Sequence, residues 1–190
     1  MTIIRIMLFT GMLFHKAVWE LLKRKDSAPV EARERPSFGL KSLVKLFKSL
    51  VLVFLIVQTL FLRVMPISKR PYPLRILGLI VYFVGLATAV VGRLQLGDNW
   101  VNLEDYQVVQ EQSLVSQGIY KFIRHPIYAG DILLILGLEL TLNSWLFLGS
   151  VPLTLFVINQ ARSEEAVLSQ AFPDYTEYKQ RTKMLFPCIL

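Results

Sequence analysis

Residues 118–138 read GIYKFIRHPIYAGDILLILGL, and they join a basic cluster to a long apolar run. Pro126 is placed like the first residue of a helix, where its missing N–H is not needed. A helix N-terminus carries the positive end of the helix dipole and normally favours acidic side chains. Here Arg124 and His125 precede it instead. The stretch predicts a hydrophobic helix, with two interpretations of its basic residues. They bind an anion at the first turn, or they are interfacial anchors that reach toward lipid phosphates.

The composition indicates an integral membrane protein. Hydrophobic residues make up 54% of the 190 residues, and they fall into long blocks separated by charged clusters, as in polytopic helical membrane proteins. The one cysteine, Cys188, excludes an intrachain disulfide, and with only two histidines we expect no metal site. The net charge of +7 is better explained by anionic lipid than by nucleic acid, because the basic residues flank the apolar blocks.

The pattern predicts an all-α bundle of about five membrane-spanning helices. The first, 2–22, contains charged residues, so an amphipathic helix at the membrane surface is the alternative for it. The last two blocks form a helical hairpin that turns at Asn143 and Ser144. We expect an N-terminal membrane region, 1–96, and a catalytic region, 97–190. The remaining predicted helices are 46–67, 74–96, 126–142 and 145–160.

Three glycines of the third predicted helix, Gly78, Gly85 and Gly92, recur every seven residues. This spacing puts small residues near one face and predicts close packing against another helix. Nothing in the spacing decides whether that partner belongs to the same chain or to a second copy.

Lysine and arginine counts predict the orientation. Eight lie in 23–48, two in 97–125 and four in the tail 161–190, against five in the segments that five crossings would put on the other side. By the positive-inside rule the connection 97–125 and the tail face the cytoplasm. The two polar segments that carry the unusual charges therefore meet on one side of the membrane.

A second charged group, ARSEEAVL at 161–168, follows the last apolar block. One interpretation is the first turn of a surface helix capped by Ser163, whose acids suit a helix N-terminus. The other is that a tight hairpin brings 162–165 beside 124–128, which forms a mixed-charge pocket for a zwitterion. Deeper in the predicted hairpin, Asp131 is expected to face protein or water and Glu139 to be hydrated near the helix end.

Four tyrosines near these segments have two interpretations. They suit an aromatic belt at the membrane interface, and Tyr128, one turn inside the predicted helix, is the better candidate for a binding site. The four are Tyr120, Tyr128, Tyr175 and Tyr178.

The ordered elements LVSQGIYKFIRHPIYAG, a hydrophobic hairpin, RSEEAVLSQAFPDYTEYKQR and a final FP resemble the isoprenylcysteine carboxyl methyltransferase family and its phospholipid methyltransferase relatives. The resemblance covers about 93–187. The chain departs from the family's pattern in two places: its acidic run is shortened to EE, and FPDY replaces the commoner FG-containing version near the tail. The resemblance implies S-adenosylmethionine as cofactor. Helix termini and loops would hold it, since the chain has no G-x-G-x-x-G turn.

The resemblance also implies roles for individual residues. Arg162 would bind the substrate carboxylate, and both Arg162 and Glu165 would act in catalysis. The implied cofactor-binding residues are Gln112, Ser113, Leu114, Val115, Tyr120, Arg124, His125, Tyr128, Glu164 and Glu165.

The implied function is methyl transfer to a lipophilic acceptor at the membrane interface, first of all carboxyl methylation of a prenylated cysteine or a similar prenyl-linked carboxylate. The alternatives are a phospholipid amine N-methyltransferase, an NADPH-dependent reductase of the sterol reductase type, and a non-enzymatic transporter or scaffold. We expect membrane lipids and a lipophilic substrate as partners, without nucleic acid or an obligate protein partner. The location would be the cell membrane in a prokaryote or the endoplasmic reticulum in a eukaryote.

Overall fold

The computed structural model describes residues 1–22, 40–99 and 113–187. Within these ranges the chain is helical, without β-strands beyond two isolated bridges, which agrees with the predicted all-α class. Short 3₁₀ helices at Gly97–Asn99, Gly118–Lys121 and Trp145–Gly149 join some of the longer elements. The α-helices are α1 (Thr2–Leu21), α2 (Leu40–Leu60), α3 (Tyr72–Leu96), α4 (Pro126–Leu142), α5 (Ser150–Ala171) and α6 (Tyr175–Arg181).

The predictions for α1, α3 and α4 agree closely with the structure, but the bounds of the second predicted helix were wrong. It was expected at 46–67, whereas α2 ends at Leu60. The following segment leaves the helix because its backbone pairs with the turn after α4. Ile67 N donates to Asn143 O at 3.0 Å, and Trp145 N donates to Met65 O at 2.9 Å.

The predicted hairpin turn lies where expected. Asn143 ends α4 in the left-handed conformation, with φ 62°, which asparagine tolerates better than most residues. The second helix of the hairpin differs from the prediction, since α5 continues to Ala171. The interpretation that Ser163 caps a new helix is therefore wrong, and its hydroxyl donates to Asn159 O one turn earlier.

Of the helices that the structure describes, α1 with 20 residues and α3 with 25 are long and apolar enough to cross a bilayer. The apolar part of α2, Ser49–Leu60, is shorter, and α4 has 17 residues. A count of five membrane-spanning helices thus stays a prediction.

Glycines allow α3 and α4 to pack backbone against backbone. A Cβ atom added at Gly85 would lie 2.5 Å from Leu134 N, and one at Gly137 would lie 2.6 Å from Tyr82 Cα. Gly92 repeats the contact at the start of α4, against Pro126. The predicted close packing is confirmed, and both of its helices belong to one chain.

Two further contacts connect the bundle. Tyr82 of α3 is buried and donates its hydroxyl hydrogen to Leu8 O of α1 at 2.7 Å. Glu139 of α4, expected to be hydrated, is instead 2% exposed and accepts a hydrogen bond from Gln58 Nε2 of α2 at 2.8 Å. The prediction for Glu139 was wrong because α2 covers this side of α4.

The C-terminal tail packs beside the start of α4. Leu185 is fully buried in a cluster with Ile123, Ala129 and Ile132. Its neighbours pair with the backbone ahead of α4, and Lys183 N donates to Phe122 O at 3.0 Å. The tail therefore helps to hold the residues that form the candidate site.

Candidate functional site

The backbone around Arg124 and His125 is held by the C-terminal tail. Arg124 N donates to Lys183 O at 2.8 Å, and His125 N donates to Met184 O at 3.0 Å. Pro126 follows as the first residue of α4, where it needs no hydrogen-bond acceptor. These bonds fix the direction in which the two basic side chains leave the backbone.

Arg124 belongs to a buried ion cluster. Its Nε donates to Glu165 Oε1 of α5 at 2.6 Å, and its Nη1 donates to Thr182 O. Lys179 Nζ lies 2.8 Å from the other Glu165 oxygen. Burial raises the pKa of the Glu165 carboxyl, but the contacts with His125, Lys179 and Arg124 outweigh that effect and lower it to about 2. The carboxylate is therefore charged at neutral pH.

This cluster answers the electrostatic question raised by the start of α4. The guanidinium of Arg124 is 7% exposed, and the anion that it meets is the Glu165 carboxylate of the same chain. The expectation that Arg124 faces an external anion is thus corrected, because α5 supplies the negative charge.

His125 connects this cluster to an open cavity. Its Nε2 lies 3.4 Å from Glu165 Oε1, and its Nδ1 lies 3.7 Å from Glu164 Oε2. The ring stacks on Tyr128 with centroids 5.4 Å apart, and the Tyr128 hydroxyl donates to Glu164 Oε2 at 3.0 Å. The predicted proximity of 124–128 to the glutamates of α5 is therefore confirmed.

The cavity has a volume of about 180 Å³. Tyr175 of α6 contributes a hydroxyl that is buried and has no hydrogen-bond partner among the described residues. Burial raises the pKa of this hydroxyl, so it stays protonated and can donate. The lining residues are Trp19, Leu96, Asn99, Ser113, Leu114, Val115, Tyr120, Arg124, His125, Ile127, Tyr128, Asp131, Glu164, Leu168, Phe172, Tyr175 and Tyr178.

A second, more open cavity of about 450 Å³ shares Leu114 and Val115 with the first. Gly118 forms part of its wall with φ 61°, a conformation that favours glycine. Ile119 N next to it donates to Gln95 Oε1 at 2.8 Å. The segment before α4 is thereby tied to the end of α3.

Most of the predicted site residues surround the first cavity, but three do not. Gln112 lies outside the described residues. Glu165 is buried behind the wall in the ion cluster. Arg162 is an exposed residue within α5, away from the lining and without an ion pair to the described parts of the chain. The predicted residues that line the cavity are Ser113, Leu114, Val115, Tyr120, Arg124, His125, Tyr128 and Glu164.

The sequence interpretation missed several residues of the site. Tyr175 and Tyr178 were assigned to a possible aromatic belt, yet both are buried and T-shaped to each other at 5.8 Å. Tyr178 donates its hydroxyl hydrogen to Tyr120 O at 2.8 Å. Trp19 of α1 was missed because it lies near the N-terminus, far before the motif in the chain. Asp131, correctly expected to face protein or water, also lines the cavity.

Comparison with known proteins identifies the family. Residues 74–175, more than half of the chain, match the family described as phospholipid methyltransferase. The structure is similar to the solved structure of the eukaryotic intramembrane Ras methyltransferase ICMT (isoprenylcysteine carboxyl methyltransferase). The TM-score is 0.65 at 21% identity, over 98% of this chain and 68% of that one.

Curated relatives are similar over about half of the chain. Protein-S-isoprenylcysteine O-methyltransferase of Schizosaccharomyces pombe is 30% identical over 50% of this chain and 42% of its own. Cobalt-zinc-cadmium resistance protein CzcN of Cupriavidus metallidurans is 33% identical over 57% of this chain and 49% of its own. Nickel-cobalt-cadmium resistance protein NccN of Alcaligenes xylosoxydans xylosoxydans is 32% identical, also over 57% of this chain and 49% of its own.

The matched region thus spans less than half the length of these curated relatives. The family match, 74–175, contains most of α3 and all of α4 and α5, and most of the residues that line the described cavity lie within it. The chain belongs to the phospholipid methyltransferase family, together with the isoprenylcysteine carboxyl methyltransferases that it resembles.

Proposed function

We propose that the chain transfers a methyl group from S-adenosylmethionine to a lipophilic acceptor at a membrane surface. The observation that carries this proposal is the cavity where His125, Tyr128 and Glu164 meet at the junction of α4 and α5. It combines a carboxylate, aromatic faces and a buried hydroxyl that has no partner among the described residues, as expected for a site that binds a polar organic cation.

The residues present fit the donor. The Glu164 side chain is 39% exposed and can accept a hydrogen bond from an ammonium group. The Tyr175 hydroxyl, unpaired within the part of the chain that the structure describes, can donate to a carboxylate. Ligand sites typically start at roughly 300 Å³, so the cavity of about 180 Å³ is small for this donor by itself. The second cavity, of about 450 Å³, shares Leu114 and Val115 with it and offers additional space.

When bound, S-adenosylmethionine would supply a methyl group already activated on a sulfonium. The protein would then mainly align the reactants and exclude water, and alignment contributes up to about 7–11 kcal/mol of barrier reduction in favourable cases. In this proposal Glu164, His125 and the tyrosines hold the donor. Arg124 and Glu165 act through them as positioning residues, because their charges are buried against each other.

The acceptor would enter from the lipid side. Leu155 and Phe156 of α5 are 61% and 64% exposed, and Arg162 follows them along the same helix. This apolar surface suits a bilayer and the chain of a prenyl or acyl group. A role of Arg162 in holding an acceptor carboxylate stays a prediction.

Two measurements on the purified full chain in detergent test the proposed function. Calorimetry with S-adenosylmethionine and, separately, with NADPH should detect binding of the first only. Incubation with methyl-labelled donor and membrane lipid extract should then move label into the lipid fraction. Binding of NADPH alone would indicate the reductase alternative, and binding of neither would favour a non-enzymatic role.

A further inference from the structure

A second carboxylate lines the cavity besides Glu164. Asp131 lies six residues after His125, about 9 Å further along the axis at 1.5 Å per residue, and its side chain is 42% exposed. His15 of α1 approaches it, with Nε2 3.0 Å from Asp131 Oδ1. Helix α1 thus contributes directly to the wall of the cavity.

An aromatic ring completes this second group. The His15 ring stacks on Trp19, with centroids 4.0 Å apart and an interplanar angle of 20°. Trp19 itself lines the cavity together with Asp131. A carboxylate and an indole ring that line the same cavity are a suitable environment for an organic ammonium, which is attracted both by the charge and by the ring face.

The charges around the cavity disfavour an anionic acceptor. Among the described lining residues the only guanidinium, Arg124, is already neutralised by Glu165 at 2.6 Å. The two accessible acids are Glu164 and Asp131, whose side chains are 39% and 42% exposed. A carboxylate headgroup would meet like charge here, whereas an ammonium headgroup would be attracted.

We propose that Asp131, oriented by His15 and flanked by Trp19, recognises the ammonium group of the acceptor, so that the chain methylates lipophilic amines in preference to carboxylates. This inference rests on the proposed methyl transfer and assigns the two accessible acids to different partners. Glu164 faces the donor beside His125, and Asp131 faces the acceptor deeper along α4.

The reaction balances for a primary or secondary amine. The ammonium gives a proton to the Asp131–His15 pair, which frees the nitrogen lone pair. That lone pair forms the bond to the methyl carbon while the carbon–sulfur bond breaks and leaves its electron pair on sulfur. The products are an N-methylammonium lipid and a neutral thioether. The pair therefore supplies the general base that a carboxylate acceptor would not need.

The test compares two acceptors and two variants in the full chain. Methyl-labelled S-adenosylmethionine is supplied with vesicles that contain phosphatidylethanolamine, or with a farnesylated cysteine whose amine is blocked. We expect label in the amine lipid and little in the carboxylate. Asp131→Asn should raise the KM for the amine lipid at least ten-fold, and His15→Gln less. Donor affinity, measured by calorimetry, should change less than two-fold in both variants.

Glu177→Gln is the matched control, since it makes the same change of acid to amide at a residue whose side chain is 69% exposed and outside the cavity lining. Its KM should equal that of the wild type.

Three results with a protein that binds the donor would overturn the inference: label only in the carboxylate, label in neither acceptor, or loss of donor affinity in Asp131→Asn with unchanged KM. Absence of donor binding by the wild type would overturn the proposed function itself. The selectivity of the wild type decides the question even if a variant fails to fold.

Discussion

Two adjacent glutamates of α5 occupy different environments, and the difference follows from the pitch of the helix. Glu164 faces the cavity beside Tyr128, whereas Glu165, about 100° further round the helix, is buried against Arg124. In the proposed function, these neighbouring residues with the same chemistry have separate roles, Glu164 in ligand contact and Glu165 in positioning.

Substitution separates these roles. Glu164→Gln should weaken S-adenosylmethionine binding about ten-fold, equivalent to about 1.4 kcal/mol, with little change in melting temperature. Glu165→Gln leaves the buried Arg124 without its anion and should cost about 3 kcal/mol of stability, a fall of roughly 6–12 °C. Calorimetry and thermal unfolding in detergent measure the two effects. The opposite pattern would show that the two assignments are exchanged.

The stability contributed by Glu165 should depend on pH. The pKa of its carboxyl is lowered from 4.5 to about 2 in the folded protein. The stabilisation is therefore complete at a pH above the pKa of Glu165 in the unfolded chain, and it is lost as the pH falls through the pKa of Glu165 in the folded protein. The difference in unfolding free energy between wild type and Glu165→Gln should therefore shrink by more than half between pH 7 and pH 3. Denaturant titrations at the two pH values measure it. A constant difference would mean that the Glu165 pKa is not depressed.

At the scale of the elements, glycines without side chains allow the backbones of α3 and α4 to pack closely. Gly85 and Gly137 bring the two backbones so close that a methyl group at either would overlap the other helix. Well-packed contacts of this kind cannot relax without moving a whole helix. Since α3 also carries Gly92 against the start of α4, the same contact positions the candidate site.

Gly85→Ala and Gly137→Ala should each destabilise the protein by about 1–3 kcal/mol and weaken donor binding, because the start of α4 shifts. Gly149→Ala is the control, since an added Cβ there meets no atom of the described residues within 4 Å. Its stability should equal or slightly exceed that of the wild type. Thermal unfolding and calorimetry of the three variants measure this. Equal stability of all three would contradict the close packing.

At the scale of the whole molecule, the candidate site lies at one end of the bundle. It gathers the ends of α1, α3 and α5, the start of α4, and the C-terminal tail. The turn around Asn143 and its partner Ser68 lies at the other end of α4, which has 17 residues, about 25 Å away. The distribution of lysine and arginine predicts that the site end faces the cytoplasm.

Cysteine labelling tests this orientation. In a Cys188→Ser background, Ser116→Cys lies at the site end and Ser68→Cys at the other, and both positions are exposed. A thiol reagent that does not cross membranes should label Ser68→Cys in intact cells and Ser116→Cys only after permeabilisation. The reverse result would invert the predicted orientation.

Much of the fold could be predicted because its signals are local. The apolar runs, Pro126 at a helix start and Asn143 at a turn are read from a few neighbouring residues. The glycines spaced by seven predicted close packing in the same way. The end of α2 could not be predicted, because pairing with the turn near Asn143, far along the chain, outweighs the apolar character of 61–67.

What the sequence determined by itself is the helical class, the hairpin, the proximity of 124–128 to 162–165 that a tight hairpin implies and, through a resemblance, the family. Only the tertiary structure decided which glutamate faces the cavity, that Arg124 meets Glu165 across 41 positions, and that His15 meets Asp131 across 116. The reason is physical. Charge and burial depend on neighbours brought together by packing, and the periodicity of one helix carries no information about which side chains another helix supplies.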